Sequence, residues 1–189
     1  KWFITFLTLA SHEPWKVPFK RDGLDKVANS MAYVDNCIGK FIENTRQTPL
    51  WNDLLVIFLP DHGIGYPEGI TEADIRRYHV PMLWLGGAVK EPKVIDKICN
   101  QTDLVATLLG QMGISHSSFP FSRDIMSENY YPLALHMFDN GFAVIDTTGH
   151  TVYDLTSSKT LTAYPSPSTE RIEKGKALLQ KHIEDFAGR

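Results

Sequence analysis

The run Asp53-Leu54-Leu55-Val56-Ile57-Phe58-Leu59 constrains the fold more than any other stretch of the chain. Its apolar residues are nearly continuous rather than alternating, the pattern of a parallel strand covered on both faces. Pro60-Asp61-His62-Gly63 then stops it, with a proline that cannot donate to a ladder and a glycine that tolerates a sharp turn. A strand buried on both faces needs layers packed above and below it, and the flanking sequence supplies them. Trp2 to Leu9 is an aromatic and β-branched run of strand length ended by Ser11-His12-Glu13-Pro14. Between the two runs, Leu24, Val27, Ala28, Met31, Val34 and Ile38 recur at three- and four-residue steps. That spacing predicts an amphipathic helix with Asp22 as its N-cap and an end near Asn44.

Downstream, Ile64 to Tyr78 reads as a loop with one helical turn, and His79 to Gly87 as a third strand with a glycine stop. A helix follows from about Asp103 to Met112, capped by Thr102 or Asp103 and ended by Gly113. Strand, helix, strand, loop, strand, helix is the order of an α/β fold with a mainly parallel sheet and right-handed crossovers. The texture changes beyond Pro132. Gly141 to Asp146 and Thr151 to Leu155 flank Thr147-Thr148-Gly149-His150, a β-hairpin signature. A linker rich in Pro and Ser, Tyr164 to Ser168, leads to a last amphipathic helix bearing Ile172, Leu178, Leu179 and Ile183. Residues 1–130 therefore read as the main domain, and 131–189 as an appended subdomain of hairpin and helix.

With 19 Lys plus Arg against 22 Asp plus Glu, the net charge of -3 gives no basic field for nucleic acid. Cys37 and Cys99 fall in apolar helical patterns without CxxC spacing and read as buried thiols rather than a disulfide. Trp2 to Ala10 is too short to span a bilayer and lacks the features of a signal peptide, so the chain contains no membrane segment. It has no initiator Met and opens almost directly in a strand pattern, which implies upstream sequence.

Sites in open α/β sheets form where loops converge at the carboxyl ends of strands. Two such ends carry ionisable residues: His12 after the first run, and Asp61 with His62 after the second. Asp61 and His62 offer one oxygen and one imidazole nitrogen, a set suited to zinc or manganese. Both reach one ion only where the chain turns, which Pro60 and Gly63 permit. The competing reading is a capping Asp61 beside a surface His62. His79 reads as structural, His116, His136, His150 and His182 carry no assigned chemistry, and Trp15, Trp51 and Trp84 read as packing residues. Arg76 and Arg77 are compatible with an anionic group but read as a solvated loop face.

The order of these pieces resembles a known family. Thr8-Leu9-Ala10-Ser11-His12-Glu13-Pro14, the helix with Tyr33-Val34-Asp35 and Ile38-Gly39-Lys40-Phe41-Ile42, and Val56 to Gly63 are similar to successive blocks of the alkaline phosphatase superfamily. The branch is that of the sulfatases and lipoteichoic-acid-synthase-like phosphoglycerol transferases. His79 to Gly86 and Gln101-Thr102-Asp103-Leu104 continue the series in the same order, so that the likeness covers residues 1–125.

The resemblance implies a divalent metal, zinc or manganese, held by Asp61 and His62 together with an acidic residue and a nucleophile from earlier in the chain. It implies that His12 binds phosphoryl or sulfuryl oxygens. The nucleophile and the early acidic ligand have no counterpart in these residues, so this chain alone is expected to be inactive. The implied activity is that of a phosphoglycerol- or phosphoethanolamine-type transferase of the cell envelope, with a sulfatase hydrolase as the alternative and a non-catalytic binding module as the second. Its substrate is a phosphate or sulfate ester, on a lipid or glycan. By family analogy the chain belongs to an extracytoplasmic domain of a membrane-anchored bacterial protein.

Overall fold

A computed structural model describes residues 2–188 and builds an α/β fold from two compact units. The first unit runs to Phe58 and includes Leu83–Pro92; the second is Leu59–Met82 with the chain from Lys93 onward.

In the first unit, helix α1 spans Lys26–Arg46. Asp25 caps it, not Asp22: its carboxylate accepts from the amides of Val27 at 2.8 Å and Ala28 at 2.9 Å, donors with no partner inside the helix. The preceding segment is tied to its first turns. Asn29 donates to the Phe19 carbonyl and accepts from the Arg21 amide, both at 2.8 Å, and the buried Ser30 hydroxyl donates to the Ala10 carbonyl. Ser30 is the one buried residue described on α1, and Cys37, expected inside, is exposed on the face the helix leaves to solvent.

Strand β1 is Val56–Phe58 and β2 is Leu83–Leu85, shorter than their apolar runs. They pair antiparallel, Val56 opposite Leu85 and Phe58 opposite Leu83, which corrects the parallel direction expected for these two strands within the α/β fold. A parallel return needs a crossover element packed on the sheet face, usually a helix. The connection Leu59–Met82 carries a single 3-10 turn, Ile75–Tyr78. The run Trp2 to Leu9 is a second correction. It has no ladder partner among the described residues and leaves Phe3, Phe6 and Leu9 more than three-quarters exposed, because β propensity builds a strand only where a partner receives its hydrogen bonds.

The second unit holds the core. Helix α2 is Asp103–Gln111, and a four-stranded antiparallel meander follows: β3 (Leu133–Phe138), β4 (Gly141–Asp146), β5 (Gly149–Asp154) and β6 (Lys159–Tyr164). The hairpin read from sequence is β4–β5; β3 and β6 extend it on either side. Helix α3, Thr169–Ala187, covers one face, where Phe142, Val144 and Tyr153 pack with Leu133, Leu135, Ile172 and Leu179. It comes close to the sheet at Gly175, where a Cβ would lie 2.0 Å from the Phe142 ring. On the opposite face, residue 71–78 backbone reaches the sheet through the Thr162 hydroxyl, which donates to the Ala73 carbonyl at 3.2 Å. Cover on both faces explains why Phe142, Ala143 and Val144 are all fully buried in one antiparallel strand. No helix among the described residues is long and apolar enough to cross a membrane.

A buried ion pair fixes α3 to the β4–β5 turn. Arg171 donates to Asp146 through Nε at 2.9 Å and Nη2 at 3.1 Å. Burial acts to raise the Asp146 carboxyl, but the bonds from Arg171 and Thr148 outweigh it and hold the group at about 2, against an ordinary 3.8. The folded carboxyl is the stronger acid, so the pair stabilises in full above pH 4 and loses its effect as pH falls toward 2, a contribution of about 2 kcal/mol. Asp146→Asn is expected to lower stability at pH 7 by at least that amount, and urea titrations should show the gap to wild type closing below pH 4. A gap that does not depend on pH would contradict this account of the pair.

Candidate metal-binding turn and its adjoining cavity

Asp61 and His62 follow β1 at the start of the second unit, and the chain bends there as the metal reading requires. Proline ends the strand and Gly63 allows the next segment to come back against the Ile75–Tyr78 turn. A Cβ on Gly63 would lie 1.7 Å from the Arg77 carbonyl oxygen, so the backbones meet at a distance open only to glycine. Within this turn the His62 amide donates to Asp61 Oδ1 at 3.0 Å, and His62 Nδ1 donates to the Gly63 carbonyl at 3.0 Å. The second bond fixes the ring orientation and leaves Nε2 as the nitrogen that could ligate a metal.

His62 Nε2 lies 3.7 Å from Asp61 Oδ2, and both side chains are more than half exposed. Two ligands of one tetrahedral zinc, each ~2.0–2.2 Å from the ion, stand about 3.4 Å apart, so the two atoms fit adjacent corners of one shell. They form half a shell. Among the described residues no group of three or more His, Cys, Asp or Glu side chains is gathered to hold an ion. The turn is anchored from behind by Gln101, whose Nε2 donates to the Pro60 carbonyl at 2.5 Å and the Asp61 carbonyl at 3.1 Å.

His12 belongs to the first unit and is exposed in a tight turn, its amide donating to Leu9 and its carbonyl accepting from Trp15. Its Nδ1 donates to the Glu13 carbonyl at 3.0 Å, again leaving Nε2 free. His79 ends the 3-10 turn in an exposed position.

Residues 1–114 match the family model described as Sulfatase, more than half of the chain. The chain belongs to the sulfatase family. A solved structure with a similar fold, a protein of the alkaline phosphatase superfamily from Vibrio parahaemolyticus, aligns with a TM-score of 0.69 at 22% identity. The alignment covers 87% of this chain and 44% of that one, so the chain spans less than half the length of that neighbour.

Sequence reasoning missed one feature of this sulfatase-family chain. His62 shares a cavity of about 130 Å³ with Gly63, Glu72, Arg77, Tyr78, His136 and Phe138. His136 and Phe138 stand two residues apart on β3 and so share a face. The His136 ring stacks on Tyr78 with centroids 3.5 Å apart. Burial, then the nearby Arg77 charge, push His136 below the ordinary imidazole range, so the stacked ring is neutral at pH 7. The apolar alternation of Leu133, Leu135 and Met137 was the available signal, because it marks β3 and puts His136 on the face away from the α3-covered core.

Gly63→Ala is expected to force the turn away from Arg77 and lower the urea midpoint by the equivalent of about 1–3 kcal/mol, with far-ultraviolet circular dichroism retained. An unchanged midpoint would contradict the close approach.

Proposed function

We propose that this chain forms part of a metal-dependent sulfatase-family enzyme acting on phosphate or sulfate esters, and that Asp61 and His62 supply two of its metal ligands. The observation that carries the reading is the pairing of His62 Nε2 with Asp61 Oδ2 at 3.7 Å, with Nδ1 committed to the Gly63 carbonyl. A carboxylate oxygen and an imidazole nitrogen suit zinc or manganese. When bound, such an ion supplies Lewis acidity, lowering the pKa of an attacking hydroxyl and screening the anionic ester. The nucleophile and the remaining acidic ligand are proposed to come from residues outside this sequence.

The chain's own residues then divide the work. Asp61 supplies a carboxylate oxygen, and His62 presents Nε2 with Nδ1 held by the Gly63 carbonyl. His12, with Nδ1 tied to Glu13, offers Nε2 to a non-bridging oxygen and, when protonated, donates a hydrogen bond that strengthens as charge develops there. The finer assignment is a phosphoglycerol- or phosphoethanolamine-type transferase of a bacterial membrane-anchored protein, with its acceptor a lipid or glycan hydroxyl. It rests on the resemblance of Ser11-His12-Glu13-Pro14 and Asp61-His62-Gly63 to that branch; hydrolysis by a sulfatase is the alternative.

Calorimetric titration of the 189-residue chain with zinc and manganese should give weak binding, since two protein ligands leave the shell incomplete, and Asp61→Ala or His62→Ala should abolish it. Tight binding that survives both substitutions would show that the ligands lie elsewhere. In a longer chain that carries a nucleophile, turnover of a chromogenic phosphodiester but not of a sulfate ester favours the transferase, and the reverse favours the sulfatase. Full metal occupancy without either activity favours a binding module.

A further inference from the structure

Arg76 and Arg77 are neighbours in sequence with opposite circumstances. Arg76 is committed: its Nε lies 2.9 Å and 3.0 Å from the two Asp74 oxygens, and its Nη2 bonds the same carboxylate. These bonds hold the Asp74 carboxyl down at about 2. Among the described residues Arg77 has one ion-pair partner, Glu72, at the 4.0 Å limit and with a largely exposed side chain, an arrangement that contributes little in water. Arg77 is nevertheless held in place. Its carbonyl abuts Gly63, its Nη1 lies 3.4 Å from where a Cβ on Gly65 would stand, and its side chain is 30% exposed. The turn that presents His62 therefore grips Arg77 at both ends, and the two side chains line one cavity.

We propose that Arg77 is the residue of this cavity that recognises the tetrahedral oxyanion of the substrate, a sulfate or phosphate group, against the stacked Tyr78–His136 wall. This rests on the reading of Asp61 and His62 as part of the reactive centre. Size selects the ligand. A volume of about 130 Å³ is well below the ~300 Å³ of pockets that enclose whole organic ligands. The cavity takes the anionic end of an ester with its first few atoms and leaves a glycan or lipid outside. Chemistry agrees with size, because a planar guanidinium presents paired N–H donors matched to two oxygens of a tetrahedral anion. Tyr78, whose hydroxyl is spent on the Glu72 carbonyl, and the neutral His136 add shape to the wall. The Glu72 carboxylate also lines the cavity; it is largely exposed and only 4.0 Å from Arg77, so an anion binds by displacing it from the guanidinium into solvent.

The test titrates the metal-free 189-residue chain with inorganic sulfate, inorganic phosphate and glycerol phosphate, followed by nuclear magnetic resonance of the His136 and Tyr78 ring protons. Saturable shifts of those rings are expected in wild type. Arg77→Gln should weaken binding by roughly ten- to hundredfold, Arg77→Lys should fall between, and Arg76→Gln should stay within about twofold of wild type. Tighter glycerol phosphate than phosphate would place the first ester atoms inside the cavity, and equal affinities would restrict the site to the bare anion; either outcome supports the assignment. Equal binding by wild type and Arg77→Gln, an equal loss in Arg76→Gln, or no ring shift in the wild type would overturn it. If Arg77→Gln does not fold, Arg77→Lys and the wild-type ring shifts decide alone. Loss of metal binding in Asp61→Ala is read separately, so a failed metal site and a failed anion site give different results.

Discussion

Asp103 is the residue on which the second unit depends. Its carboxylate is 1% exposed, a burial that is strongly unfavourable for a lone charge, and five donors compensate it. Arg123 donates through its amide at 2.9 Å, Nε at 3.0 Å and Nη2 at 2.6 Å; the Asn100 amide adds a bond at 2.9 Å and the Tyr130 hydroxyl one at 3.2 Å. Placed at the start of α2, the charge also faces the positive end of the helix dipole. Burial, then the nearby Asp103 charge, raise Tyr130 well above the usual phenol range, so it remains a donor at pH 7.

From this node the order spreads in two directions. Arg123 carries it to the sheet, donating to the Leu133 carbonyl at 2.7 Å, while the Asn100 side chain pairs with both backbone groups of Leu135 as a neighbouring strand would. Gln101, between Asn100 and the helix, carries it to the Pro60 and Asp61 carbonyls. The turn with Asp61 and His62 and the strand with His136 are thus positioned by two consecutive polar residues, Asn100 and Gln101, just ahead of Thr102 and Asp103. The sequence block Gln101-Thr102-Asp103-Leu104, which carries part of the family resemblance, has a structural reason to be polar at the head of an apolar helix.

What could be read from sequence follows the range of the forces involved. The three helices and the β4–β5 hairpin were legible because periodicity, caps and turn residues act over a few positions. The Asp61–His62 turn was legible because Pro60 and Gly63 mark it. Strand pairing was not, since the direction of β1 against β2 depends on what fills the connection Leu59–Met82, and the apolar run from Trp2 reveals no partner. The roles of Arg76 and Arg77 could not be told apart either. Their difference lies in a carboxylate two residues before Arg76 and in the approach of Gly63 to the Arg77 carbonyl, and only the folded chain brings the latter together.

The Asp103 node, acting through Gln101, is proposed to hold Asp61 and His62 in position to share one divalent ion. Paramagnetic broadening by manganese tests it directly, because it locates a weakly bound ion in solution. At low occupancy the account predicts broadening centred on the Asp61 to Gly63 amides, the His62 ring and the Gln101 side-chain amide. In Gln101→Ala the broadening should weaken at the turn. Broadening centred on any other carboxylate cluster, or a pattern at the turn unchanged by Gln101→Ala, would contradict it.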